Sequence, residues 1–302
     1  MKKLALLTVC IFSAILSPLN AEEHKISINW LDGYRYLYKI EFEKDLSIRD
    51  EAGSRVMHQI ERDQQSLSFL VRHKDAGVIH LIMRYHDFTG QVFRGPQKVD
   101  DYSIQDFPNG LGSLLLEREL TYEIGSDGLL KGILGTDDLI AELKSKLPAQ
   151  LHPIVDSMYS PEALSERYRQ VFEKSVPSEL VTLEQSWNHR SEIDQGQMGI
   201  MQSEISYTLS EVSENAAKIA MTVAVKPKGD QISVLDINME FIDSSGSGTI
   251  RINRKDGVLV ENSTSQNFKS RMKVPDNGKI LTMFNETVSK QSMTLVSFEE
   301  IQ

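Results

Sequence analysis

Gly33-Tyr34-Arg35-Tyr36-Leu37-Tyr38-Lys39-Ile40-Glu41-Phe42-Glu43 alternates apolar and polar residues almost without a break. Tyr34, Tyr36, Tyr38, Ile40 and Phe42 fall on one face of an extended chain, and Arg35, Lys39, Glu41 and Glu43 on the other; Leu37 departs from the pattern. Period two over such a stretch is the mark of a half-buried antiparallel strand. Ten residues at strand rise cover about 33 Å, long for one strand, so the stretch predicts a strongly curved sheet or a barrel-like wall.

Similar runs extend outward from it. Leu67, Phe69 and Val71 make one inward face; Ile79, Leu81, Met83 and Tyr85 make the next, after the turn residues Asp75-Ala76-Gly77. Leu116, Leu120, Tyr122 and Ile124 lead into Asp127-Gly128, a hairpin signal. Alternation resumes late in the chain, at Trp187 to Ile193, Ile205 to Leu209, Ile219 to Val225, Leu235 to Phe241 and Ile250 to Ile252. A second hairpin signal, Asp256-Gly257, and two tail runs, 280–288 and 293–298, complete it. Each β region reads as a strand pair followed by a hairpin, so the sequence suggests one meander duplicated.

The middle follows another period. Thr136 reads as a helix cap with Asp137 and Asp138 in the first turn, where the helix dipole favours acid. Leu139, Ile140, Leu143 and Leu147 recur at helical spacing, and a second short helix is expected over 149–158. Ser160-Pro161-Glu162 is a third start, with Leu164, Tyr168, Val171 and Phe172 as its apolar stripe before Pro177. The expected organisation is a signal at 1–21, a first β meander at 22–135, a helical insert at 136–176 and a second meander at 177–302, with 22–302 forming one unit. The expected fold class is α+β: mostly antiparallel, with long curved strands and the helices layered on the sheet.

The chain start reads as an export signal. Lys2 and Lys3 precede an apolar run from Leu4 to Leu16, and Pro18 and Ala21 precede Glu22, the pattern of a cleavable secretory peptide. The sole cysteine, Cys10, lies inside that run behind bulky Val9, which disfavours lipid attachment there. Beyond the signal no thiol chemistry is available. A net charge of −10 argues against nucleic acid, whose phosphates need a basic face. No later apolar stretch approaches the 18 residues of a membrane-spanning helix, so no transmembrane span is expected after signal removal.

Candidate chemistry is sparse. His24, His58, His73, His80, His86, His152 and His189 offer no pair at helical i, i+4 or strand i, i+2 spacing. Asp243-Ser244-Ser245-Gly246-Ser247-Gly248 lacks the spacing and the strand-to-helix setting of a nucleophile elbow, and reads as a flexible loop. Gly110-Leu111-Gly112 lacks the third glycine and the βαβ setting of a dinucleotide site. No catalytic group, metal site or cofactor is expected, and the chain is not expected to be an enzyme.

In order, these segments resemble a bacterial family of exported proteins and lipoproteins known only as a domain of unknown function. The resemblance rests on Gly33-Tyr34-Arg35-Tyr36-Leu37-Tyr38-Lys39, on Asp127-Gly128 with Gly135-Thr136-Asp137-Asp138-Leu139, and on Ser160-Pro161-Glu162-Ala163-Leu164. Pro177, Ser186-Trp187, Gly246-Ser247-Gly248-Thr249 and Asp256-Gly257 continue it; Glu184 stands where the family has glycine. The family carries no assigned activity or catalytic residue, so the resemblance implies none.

The functional expectation is a non-catalytic exported binding protein, periplasmic or extracellular, for an apolar or lipid-like small molecule. That ligand would lie between the aromatic strand face and the helices, lined by Tyr34, Tyr36, Tyr38, Leu139, Leu143, Tyr168 and Phe172. The alternative is an envelope interaction or assembly factor whose partner is another envelope protein.

Overall fold

The opening stretch forms the first half of a 17-residue strand, Tyr34–Asp50, in the computed structural model. The structure describes residues 22–301 except 75–76, 107–110, 126–128, 166–175, 178, 195–199, 229–231, 235–236 and 277–278. The export signal, the Asp127-Gly128 turn, Tyr168 and Phe172 lie outside the described residues. The strands are β1 (Glu23–His24), β2 (Tyr34–Asp50), β3 (Arg55–Lys74), β4 (Val78–Arg94), β5 (Gln97–Ser103), β6 (Glu119–Ile124), β7 (Leu130–Leu134) and β8 (Val181–Thr182). They continue as β9 (Ser186–Asp194), β10 (Ile200–Val212), β11 (Ala216–Pro227), β12 (Ile232–Val234), β13 (Ile237–Asn253), β14 (Val258–Asp276) and β15 (Lys279–Glu300). Three α-helices are named among the described residues: α1 (Leu111–Glu117), α2 (Thr136–Lys146) and α3 (His152–Tyr159).

Thirteen strands make one antiparallel sheet in the order β7-β6-β4-β3-β2-β15-β14-β13-β11-β10-β9, with β5 on β4 and β12 on β13. The last strand pairs along the first long one, from Met283 with Asp50 to Glu300 with Tyr34, so strands of both predicted meanders share one sheet. This corrects the α+β expectation. About 70% of the described residues are strand and 14% helix, so the fold is mostly β. The physical reason is strand length: alternation over 17 to 22 residues in each of β2, β3, β4, β13, β14 and β15 leaves the helices only short stretches of chain.

The loop expected at 243–248 is also corrected, because it lies in the middle of β13, with Gly246 opposite Gln266 and Gly248 opposite Thr264. Glycine is required by close approach there. A Cβ on Gly248 would meet the Ser263 carbonyl oxygen at 2.3 Å and the Met221 methyl at 2.6 Å. The cap of α2 is Gly135, at φ +92°, while Thr136 is buried as the first helical residue. The Ser160 signal holds: the Ala163 N–H donates to Ser160 Oγ at 3.1 Å, and residues 161–165 are helical.

Bulges explain where the period-two reading loses phase. In β4, Tyr85 pairs with Leu67 and Asp87 with Ser66, leaving His86 as the extra residue. The inward face therefore passes from odd positions, Ile79 to Tyr85, to even ones, Phe88 and Gly90. Ile242 in β13 and Val296 in β15 are extra residues of the same kind, which is why both are exposed apolar side chains.

The sheet buries one end. Tyr36, Tyr38, Phe69, Leu81, Leu120 and Tyr122 from one part of it, and Leu209, Ile219, Ile250 and Ile252 from the other, join one core with Leu139 and Leu143 of α2. Residues 25–33 cross this end: Trp30 packs edge-on against Tyr36 and Phe69, and the Asn29 N–H donates to the Gly257 carbonyl at 2.8 Å. At the opposite end the strands run on past the core. Their outer face carries ion pairs, among them Arg190–Glu204 at 2.8 Å and Arg271–Glu240.

Candidate functional site

The predicted ligand-lining residues fill the core. Tyr36, Tyr38, Leu139 and Leu143 are 1%, 0%, 1% and 3% exposed, so the sheet–helix space is occupied by the side chains expected to line it. Tyr34 is partly buried and stacks on Phe298, ring centroids 4.7 Å apart. Burial raises the pKa of the Tyr38 hydroxyl far above its ordinary range, and the neighbouring Tyr36 adds to the effect. Neither cleft described below is lined by any of these residues.

Alternation along β2 carries the same face from Tyr36, Tyr38 and Ile40 to Phe42. The register extends each of these positions sideways. Ile40 aligns with Met293, Asn262, Ile250, Ile219 and Leu209, all buried, and this row seals the top of the core. Two residues further out, Phe42 begins a different row. In one direction it meets Asp63, Gly90 and Tyr102; in the other, Gln291, Thr264, Gly248, Met221, Tyr207 and Trp187. Ten strands thus contribute one residue each to a line that is aromatic at both ends, with Phe42 and Met221 set among glycines and polar residues between.

A cleft of about 940 Å³ is centred on part of this line. It is lined by Phe42, Asp63, Gly90, Tyr102, Gln291 and Thr264 together with their neighbours along each strand, and by Asp106. Gly90 makes room for Tyr102: a Cβ there would lie 2.2 Å from the Tyr102 ring. The ring crosses β4 and its hydroxyl donates to Asp63 Oδ1 at 2.7 Å. Burial raises the pKa of the Asp63 carboxyl above its ordinary value, against the lowering effect of the Tyr102 hydrogen bond. Burial and the adjacent Asp63 raise that of Tyr102 in turn.

The lining holds five carboxylates, Glu41, Glu43, Asp63, Asp101 and Asp106, and two cations, Arg62 and Lys290. Both cations bind Glu43, at 2.8 Å and 3.0 Å, and Lys290 first, then Arg62, lower its pKa. The Asp106 carboxylate accepts from the Ser103 N–H and hydroxyl, each at 2.7 Å. Two more of the carboxylates are paired from outside the lining, Glu41 with Lys39 at 2.7 Å and Asp101 with Lys98 at 2.6 Å, so among the described residues Asp63, held by the Tyr102 hydroxyl, and Asp106 are the ones without a cation.

A second cleft of about 570 Å³ lies along β9, β10 and β11, centred on the register line Ser191–Ser203–Val225 and closed by Phe241 and Ser244. Among the described residues no three His, Cys, Asp or Glu side chains gather as a metal site, and no helix is long and apolar enough to cross a membrane. His80 stands 3.1 Å from Glu123, and His86 Nε2 lies 2.8 Å from Ser68 Oγ. Burial, then Arg84 and Arg35, lower the pKa of His86.

Sequence reasoning missed Asp63, Gly90 and Tyr102. Its available signal was the odd-to-even phase change in 79–90, which places Gly90 on the core face beside an aromatic.

A family model described as a family of unknown function matches residues 96–259. No curated protein matches the chain significantly. Among solved structures, OmpF of Salmonella typhi in complex with daunomycin aligns at 6% identity over 89% of this chain and 100% of its own, with a TM-score of 0.25. An outer membrane channel from Pseudomonas putida F1 aligns at 6% identity over 88% and 97%, with a TM-score of 0.20. The β domain of the Bordetella autotransporter BrkA aligns at 7% over 85% and 98%, with a TM-score of 0.18. Likenesses this loose carry no argument about fold or role.

Proposed function

We propose that this chain, which belongs to the DUF6263 family of unknown function, is a non-catalytic exported binding protein whose ligand lies along the Tyr102–Thr264 line. The export reading rests on the residue pattern of 1–21. The observation that carries the binding reading is the cleft of about 940 Å³ with five carboxylates and two cations. Concave sites with a few converging polar groups are the usual place for a ligand. A bare acyl chain between sheet and helices fits poorly, because those side chains bury one another. The better fit is an extended, donor-rich and cationic ligand, such as a basic peptide segment. Its ammonium or amide groups would meet Asp63 and displace Lys98 from Asp101, and its apolar parts would meet Phe42 and Tyr102.

Fluorescence anisotropy of a labelled lysine-rich peptide tests this. Saturable binding that weakens as salt is added is expected, since screening acts on the charge contacts. Asp63→Asn should weaken it, about tenfold if one charge-assisted hydrogen bond worth roughly 1.4 kcal/mol is lost. Absence of saturable binding at low ionic strength would rule the cationic ligand out.

A further inference from the structure

The far rim of the sheet, opposite the core, carries exposed apolar side chains on both of its faces. The rim is formed by two neighbouring hairpins, β2–β3 and β14–β15. Both run past the last residues paired on their outer flanks, Gln59 with Arg94 and Lys273 with Asn238. Ile280 and Phe284, even positions of β15, are 71% and 38% exposed on one face; Leu281, an odd position, is 39% exposed on the other. Met57, 36% exposed, shares the face of Leu281 through its register with Ile48 and Asn285. Val56, the extra residue between the pairs Ile48–Met57 and Arg49–Arg55, is 57% exposed.

A protein partner docking flat on the sheet would cover one of these faces. Exposure on both, at a free end, suits a medium that surrounds the rim. Arg49, Arg55, Lys273 and Lys279 are exposed at the same level, and long cationic side chains of this kind keep their heads in a headgroup layer while their stems lie along apolar surface. Asp50, Glu51 and Asp276 are acidic residues there, and at the level of Phe284 Glu240 is paired with Arg271, so in a chain of net charge −10 this end is not acidic. Three residues beyond the flanking strands, the level of Ile280 and Leu281, reach about 10 Å, the depth of an interfacial apolar insertion, while Phe284 lies at its base, level with the Arg271–Glu240 pair of β14 and β13.

We infer that the two hairpin ends form a lipid-interface anchor: they enter the headgroup and upper acyl region of an anionic bilayer edge-first, with Ile280, Leu281, Phe284, Val56 and Met57 buried and the four cations at the phosphates. The anchor is separate from the cleft and does not depend on what the cleft binds.

Flotation of the full chain with vesicles of phosphatidylcholine and phosphatidylglycerol tests this, beside vesicles of phosphatidylcholine alone. Stronger binding to the anionic vesicles is expected. Phe284→Asp with Ile280→Asp should abolish it, and so should Leu281→Asp alone, because both faces must enter. Full-chain protein with Cys10→Ser and a single environment-sensitive dye, attached through Leu281→Cys or through Phe284→Cys, should show a blue shift on vesicle addition at both positions. That reading holds even if an Asp variant fails to fold. A shift at one position alone, or no binding to either vesicle, would overturn the inference. So would a chain that is dimeric without lipid and becomes monomeric on Phe284→Asp, since a second copy would then cover the rim.

Discussion

The Tyr38 hydroxyl donates to the carbonyl oxygen of Leu259 at 3.0 Å, tying β2 to β14 although β15 lies between them in the sheet. The bond is possible because β14 pairs with β15 only from Glu261 onward, while β15 continues along β2 past that point. Tyr38 is fully buried, so its ring and hydroxyl close the gap from inside the core.

Tyr38→Phe should therefore lower stability by about 1–3 kcal/mol, the cost of leaving a buried carbonyl unpaired. The Leu259 oxygen has no β15 partner to replace the lost donor. The urea midpoint should fall with an unchanged slope; an unaltered midpoint would show that water reaches Leu259.

Gly90→Ala should destabilise by about 1–3 kcal/mol through overpacking against the Tyr102 ring. The clash is with one side chain, so Tyr102→Ala should remove most of the cost. A double-mutant cycle on thermal unfolding measures this coupling; additive effects would mean that backbone, not the ring, sets the need for glycine.

The raised Asp63 carboxyl makes the ionised form unfavourable in the folded chain. A folded pKa above the unfolded one contributes stability that is fully present below the unfolded pKa and is lost as pH rises through the folded one. Wild type should thus gain stability relative to Asp63→Asn as pH falls from neutral into the carboxylate range. Melting temperatures of both proteins along that range check the sign.

Glu43 has the opposite sign. Its pKa is lowered by Lys290 and Arg62, so its contribution exists above the ordinary carboxylate pKa and fades as pH falls through the lowered value. The three side chains are partly solvated, which limits the loss in Glu43→Gln to about 0.5–1 kcal/mol. The difference from wild type should shrink in high salt; a difference indifferent to salt would point to packing instead.

Much of the strand content is legible locally. Tyr34 to Phe42, Leu67 to Val71 and Ile219 to Val223 alternate as written, and Gly33 and Gly257 take the positive φ expected of turn glycines, +78° and +70°. The same local logic misreads 243–248, since glycine and serine signal a loop unless a neighbour presses on the backbone, as Met221 and Ser263 do at Gly248. It also gives the aromatic stripe to a ligand, because alternation tells which face is inward but not what fills the inside.

The sequence by itself determined that long half-buried strands alternate with turns and that helices occupy the middle. Side-chain period and turn chemistry are properties of neighbours in the chain, so they can be read there. Tertiary structure alone decided the rest. Pairing of β15 with β2 made one sheet of both meanders, bulges at His86, Ile242 and Val296 shifted which positions face inward, and register brought Asp63, Gly90 and Tyr102 into one line. These depend on contacts between residues tens to hundreds of positions apart, which no local pattern encodes.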